Sequence, residues 1–180
     1  MKLQSAQSLL LLIDLQARLA PAIDGIEGVL ERVKLLIAAA RALQVPILAS
    51  EQNPEGLGHT VPEIADLLSP EEIVAKIHFG LMAEPGFADR LTATGRTQIV
   101  VAGTETHVCV LQSLMGLREA GLRPVAVADA VSSRRPLDRQ TALARLAALE
   151  IPAVTSEMVV FEWLERSDVP AFKQLLPLIR

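Results

Sequence analysis

Six short runs of branched apolar residues, each separated from the next by a longer stretch, constrain this chain more than any other feature. The runs are Ser8–Asp14, Pro46–Ser50, Glu72–Lys76, Thr97–Gly103, Pro124–Asp129 and Pro152–Ser156. Between them, Val29, Val33, Leu36, Ile37, Ala40 and Leu43 recur at helical spacing, as do Val110, Leu111, Leu114, Met115 and Leu117, and then Leu143, Leu146 and Leu149. Apolar side chains three and four positions apart share one helix face, whereas a short uninterrupted apolar run suits a strand buried on both sides. The alternation predicts strand–helix units and a parallel sheet covered on both faces. Gly121, closing a helical stretch just ahead of Pro124, is the stop chemistry such a unit needs. The expected fold is therefore α/β, a three-layer αβα sandwich with a six-stranded, mainly parallel sheet. With 51% hydrophobic residues and no repeat or low-complexity linker, residues 1–180 are expected to form one domain.

Charge narrows the partners. A formal net charge of −4 and the absence of any lysine or arginine run give no footprint for nucleic acid or for an anionic membrane surface. The apolar stretch Leu9 to Ile13 is too short to span a bilayer and meets Asp14 at once. Cys109 is the single cysteine, so no disulfide can form within the chain and no cysteine cluster can hold structural zinc. A reducing cytoplasm is the expected setting.

Ligands of an open, Rossmann-like parallel sheet bind beyond the carboxyl ends of its strands. Asp14 closes the first run, Lys76 closes the third, and Cys109 follows the fourth within VVAGTETHVCVLQSLMGLREAG. A carboxylate, an ammonium and a thiol are thus expected in one cleft. Placing Cys109 where a strand gives way to a helix predicts a thiolate stabilised by unpaired amides. By position alone, Asp14 equally suits a cap, Lys76 a solvated edge lysine and Cys109 a packing residue.

Asp14 in LLLIDLQ, Lys76 in VAKIHFG and the run AGTETHVCV ending at Cys109 resemble the isochorismatase-like cysteine hydrolase superfamily, in its isochorismatase domain-containing protein branch. Further matches are SEQNPEGLGHTVPEI, VADAVSSRRPLDRQTALARL and VTSEMVVFEWL, so the resemblance spans nearly the whole chain. It implies a catalytic triad of Asp14, Lys76 and Cys109, acting without metal or other cofactor on a small amide or related acyl compound through a thioester. It also implies an oxyanion hole formed by the backbone N–H groups of Glu105 and Cys109, positioned by a cis peptide bond between Thr104 and Glu105. Glu51, Gln52, Phe79 and Thr104 are candidate pocket residues. His59, His78 and His107 are scattered and lack the paired spacing of a metal site, and SEQNPEGLGHT lacks the aspartate and histidines that bind metal in the nicotinamidase branch. Arg134 and Arg135 suit either attraction of an anionic substrate or a solvated turn.

Two other functions compete with the amide hydrolase. One is hydrolysis of a vinyl ether such as isochorismate, which needs an acid and no thiol. The other is a non-catalytic domain that keeps the fold for association or sensing. The resemblance further implies a homo-oligomer, for which the apolar segment MVVFEWLERSDVPAFKQLLPLI offers surface unless it packs on the core.

Overall fold

Each apolar run forms a strand: β1 Ser8–Ile13, β2 Ile47–Gln52, β3 Ile73–Lys76, β4 Gln98–Thr104, β5 Arg123–Ser132 and β6 Ala153–Val154. The computed structural model describes residues 1–179. The strands make one sheet in the order β3-β2-β1-β4-β5-β6, and every pairing is parallel. Chain order reverses between β1 and β4, where the connections on either side of the sheet diverge and leave a crevice. All six residues of β1 are buried, as a central strand covered on both faces requires.

The helices are α1 Ile26–Ala42, α2 Pro54–Leu57, α3 Pro62–Ala65, α4 Phe87–Ala93, α5 Leu111–Glu119, α6 Pro136–Ala148, α7 Ser156–Leu164 and α8 Pro170–Ile179. Alternation along the strands sends Leu10, Leu12, Val100 and Ala102 to one face, where they meet Val33, Leu36, Ile37, Val160, Trp163 and Leu175 of α1, α7 and α8. Leu9, Leu11, Ile13, Ile99 and Val101 face the other way, onto Phe87, Leu91, Leu114, Leu117 and Leu146 of α4, α5 and α6. Fully burying one such leucine stabilises the fold by roughly 1.5–3 kcal/mol, so the two clusters give the sheet a rigid frame. The C-terminal segment directs its apolar face mainly into this core, leaving Met158, Phe161 and Leu178 exposed.

Strand ends depart from the sequence reading in an informative way. β5 continues to Ser132, beyond the expected Asp129, because the β4–β5 register shifts between Val101 and Gly103 and lets extra residues bulge out. Gly103 is paired with Ile13 and has φ +133°; a Cβ there would lie 2.1 Å from the Ile13 carbonyl oxygen. Only glycine permits β1 and β4 to run this close beside the crevice. β1, β2 and β4 are each followed by a non-glycine residue in left-handed conformation, Asp14 at φ 53°, Asn53 at φ 39° and Glu105 at φ 55°. Asp and Asn tolerate that region through local hydrogen bonding, whereas glutamate gains less there, so Glu105 is the most strained of the three exits.

Candidate active site

The structure brings Asp14, Lys76 and Cys109 together at the crevice. Asp14, just past β1, accepts the Ser50 hydroxyl on Oδ1 at 2.7 Å and the Lys76 ammonium on Oδ2 at 2.8 Å. Its backbone carbonyl accepts the Thr104 hydroxyl at 2.6 Å. Lys76 ends β3 and reaches beneath β2, where its Nζ also donates to Gln52 Oε1 at 2.6 Å and to the Phe79 carbonyl at 3.4 Å. Gln52 is fixed in turn by donating to the Ile77 carbonyl at 2.7 Å. The side chains of Lys76 and Asp14 are 0% and 1% exposed. Buried charges of this kind persist only when paired and hydrogen-bonded, and here the three ammonium protons have three acceptors.

Cys109 arrives from the other side of the crevice. The strained Glu105 turns the chain out of β4 into a π-helical turn, Thr106–Val110, which runs directly into α5. The Glu105 carbonyl accepts the N–H groups of Val108 at 2.9 Å and Val110 at 3.3 Å, on either side of Cys109. Such π turns displace a side chain from ordinary helical register and recur at functional sites. The expected cis bond between Thr104 and Glu105 is absent: no peptide bond among the described residues is cis, and the left-handed Glu105 makes the turn instead.

The expectation of a preformed thiolate is also reversed. Burial pushes the Cys109 thiol up to about 12, the Asp14 charge adds to the rise, and Lys76 opposes it. The thiol is 5% exposed and the neighbouring carboxylate disfavours a second negative charge, so the resting site holds a protonated thiol beside the buried ion pair.

A pocket of about 350 Å³ opens above these groups, lined by Asp14, Gln52, Glu105, Cys109 and Arg134 and by apolar walls from Leu19, Leu57, Phe79 and Val108. Gln52 and Phe79 thus lie where the sequence places them. Glu51 does not: strand alternation turns it to the opposite side, where it accepts the Thr60 N–H at 2.6 Å, the Thr60 hydroxyl at 2.8 Å and His59 Nδ1 at 2.9 Å. Burial opposes its ionisation, but the Thr60 and His59 hydrogen bonds outweigh that and hold Glu51 below the usual carboxylate range. Thr104 is likewise a support and not a wall, because its hydroxyl points back at Asp14. His59 lies largely exposed beyond Glu51. His107 is partly buried, with Nδ1 at 3.1 Å from the Ser133 hydroxyl and 3.2 Å from Glu105 Oε2.

Sequence reasoning missed Ser50 and Gln16. Gln16 donates to the carbonyls of Gln52 and Gly58 and accepts the Gln52 N–H at 2.8 Å, bracing the loop after β2. Polar residues at or just past strands otherwise made of apolar ones were the available signal. Among the described residues, no group of three or more His, Cys, Asp or Glu side chains is arranged to hold a metal ion. No helix among them is long and apolar enough to cross a membrane.

Fold and site together define a doubly wound α/β protein carrying an acid, an ammonium and a thiol in the crevice where its strand order reverses. The Isochorismatase domain model matches residues 8–158, and the chain belongs to that family. It is 35% identical over 178 residues to isochorismatase domain-containing protein 1 of Danio rerio, covering 99% of this chain and 62% of that protein. The chain thus spans less than two thirds of that relative's length. Among solved structures it resembles the MAR1 ribonuclease of Caenorhabditis elegans, with 36% identity, a TM-score of 0.93 and coverage of 99% of this chain and 92% of that one. The YcaC gene product of Escherichia coli, described as an octameric hydrolase of unknown specificity, shares the fold at 22% identity and a TM-score of 0.92, over 99% of this chain and 90% of that one.

Proposed function

We propose that this protein is a metal-independent cysteine hydrolase that cleaves a small amide or related acyl compound, with Asp14, Lys76 and Cys109 as its catalytic triad. The observation that carries the reading is the convergence of a buried Asp14–Lys76 pair and the single thiol on one pocket of about 350 Å³. Because the resting thiol is protonated, activation is general-base catalysis during attack and not a standing thiolate. The Cys109 sulfur bonds to the substrate carbonyl carbon as its proton passes to Asp14, and the carbonyl π electrons move to oxygen. The oxyanion is then held by the backbone N–H groups of Glu105 and Cys109. Collapse breaks the C–N bond, the departing amine takes the proton from Asp14, and a thioester remains. Water, losing a proton to Asp14, attacks the thioester; C–S cleavage returns that proton to sulfur and releases the acid. Lys76 keeps Asp14 oriented between steps, its three protons being committed to Asp14, Gln52 and Phe79.

The test is ammonia release from small primary amides, with intact mass spectrometry to trap the acyl-enzyme. Cys109→Ala is expected to reduce turnover to background and to abolish the acyl adduct. Retained turnover of a verified substrate by that variant overturns the mechanism. Turnover of a vinyl ether by wild type and Cys109→Ala alike, with no amide turnover, would favour vinyl ether hydrolysis, which needs no thiol.

The name of the C. elegans relative makes RNA a competing substrate. A net charge of −4 and a pocket whose charged lining is Asp14, Glu105 and the single Arg134 supply no basic track for phosphates. RNA cleavage without amide turnover would reverse this preference. The reading includes self-association, supported by the octameric description of the E. coli neighbour and by Ile77 and Phe79, which are 67% and 53% exposed next to the pocket. Light scattering on the purified chain tests it, and a monomer at all concentrations would remove it.

A further inference from the structure

The rim of the pocket carries a cation with unused donors. Arg134 donates its Nε–H to Glu105 Oε1 at 2.6 Å, which fixes the guanidinium over the cavity. Among the described residues no acceptor meets its Nη groups, and its side chain is 60% exposed whereas that of Glu105 is 8% exposed. Glu105 Oε2 is buried without a hydrogen-bond partner and lies 3.2 Å from His107 Nδ1, so Glu105 is itself wedged between a cation and an imidazole. Among the described residues Arg134 is the one cationic side chain lining the pocket; Lys76, buried behind Asp14, has its protons committed to Asp14, Gln52 and Phe79. Leu19, Leu57, Phe79 and Val108 complete the wall with apolar surface.

Resting on the hydrolase reading above, we propose that Arg134, held in place by Glu105, is the carboxylate-binding group of this pocket, so that the substrate is a small amide bearing a second, anionic carboxylate. A planar Nη pair matches a carboxylate through two parallel hydrogen bonds. A phosphate dianion would draw on further donors, and the facing apolar walls have none. The cavity volume limits the acid to a few carbons between its carboxylate and the scissile amide. Glu105 acts as a positioning residue, because it touches the guanidinium and not the anion.

The experiment compares succinamate, which carries the carboxylate, with succinamide, its uncharged counterpart. Wild-type protein is expected to favour succinamate in kcat/KM by about tenfold or more, as for a charge-assisted bidentate contact, with the difference mainly in KM. Arg134→Gln is expected to erase that ratio, Arg134→Lys to restore part of it, and Arg135→Gln, at the exposed neighbouring position, to leave it intact. Glu105→Gln is expected to narrow the ratio without abolishing it. Calorimetric titration of Cys109→Ala with succinate and with succinamide reads the same site without chemistry. Turnover of both amides with no charge preference, or a preference that survives Arg134→Gln, overturns the carboxylate site and leaves the hydrolase standing. Succinate binding that requires Arg134, in a protein that hydrolyses neither amide, keeps the site and overturns the hydrolase. Neither binding nor turnover overturns both.

Discussion

The two sides of the pocket are built on opposite principles. On the strand side, Asp14, Ser50, Gln52, Lys76 and Thr104 are buried and every charged hydrogen-bonding position described has a partner. On the helix side, Glu105 has one oxygen without a partner, Arg134 extends toward solvent, and Cys109 rides on a π turn. A saturated network has no valence left for a ligand but holds its members in fixed geometry. An unsaturated one is less stable by itself and has donors and acceptors to offer. The contrast suggests a division of labour, with the strand side setting the protonation chemistry and the helix side recognising what enters.

The largest effect expected is at Gly103, on the strand side. Gly103→Ala forces a Cβ into the Ile13 backbone and should cost more than about 4 kcal/mol, read as a collapse of the urea midpoint or loss of soluble protein. A variant with wild-type stability would show that β1 and β4 can part, and that the strand side is less rigid than its geometry implies. Next, Lys76→Met leaves Asp14 buried and unpaired and should destabilise by roughly 3–5 kcal/mol, with partial recovery when Asp14→Asn is added. Equal stability of Lys76→Met and wild type would mean that the pair is not the organising interaction of that side.

A third, smaller effect comes from the thiol between the two sides. Its folded pKa of about 12 lies above the ordinary 9.0, so between those values the unfolded chain loses the proton first. Stability from this group is complete below the unfolded value and declines as pH rises toward the folded one, by at most about 1.4 kcal/mol per pH unit. Urea midpoints at pH 8 and pH 10 should therefore diverge more for wild type than for Cys109→Ala; identical shifts would remove the raised thiol from the account. Native alkylation should keep climbing past pH 9, with Asp14→Asn moving it to lower pH. The smallest effect is Glu105→Gln at the rim, expected within about 1 kcal/mol of wild type because its partner is largely exposed. A cost as large as that of Lys76→Met would erase the distinction between the sides.

Much of this was legible in the residues. Six strands, the two covered faces and the convergence of Asp14, Lys76 and Cys109 follow from apolar runs and strand-end chemistry, because those signals are local. Glu51 was misjudged since a strand's alternation is certain but its phase relative to the crevice is set by its neighbours; Ser50 and Gln52 turn toward the pair and Glu51 turns away. The shift of the thiol ran against expectation for a similar reason. A helix start favours a thiolate, but burial and an adjacent carboxylate are properties of the assembled interior and outweigh it. Likewise the register shift that accompanies the longer β5 falls at Gly103, whose close approach to β1 no single run of sequence displays.

The enclosed, protonated state of Cys109 has a consequence for durability. Peroxide oxidises thiolates to sulfenic acid, and the further steps to sulfinic and sulfonic acid follow only once that anion has reacted. A sulfur that surrenders its proton only as a carbonyl arrives leaves little for an oxidant to attack in the idle protein. The arrangement that delays the nucleophile therefore also preserves it, and a chain with one cysteine has no second thiol to rescue it by exchange.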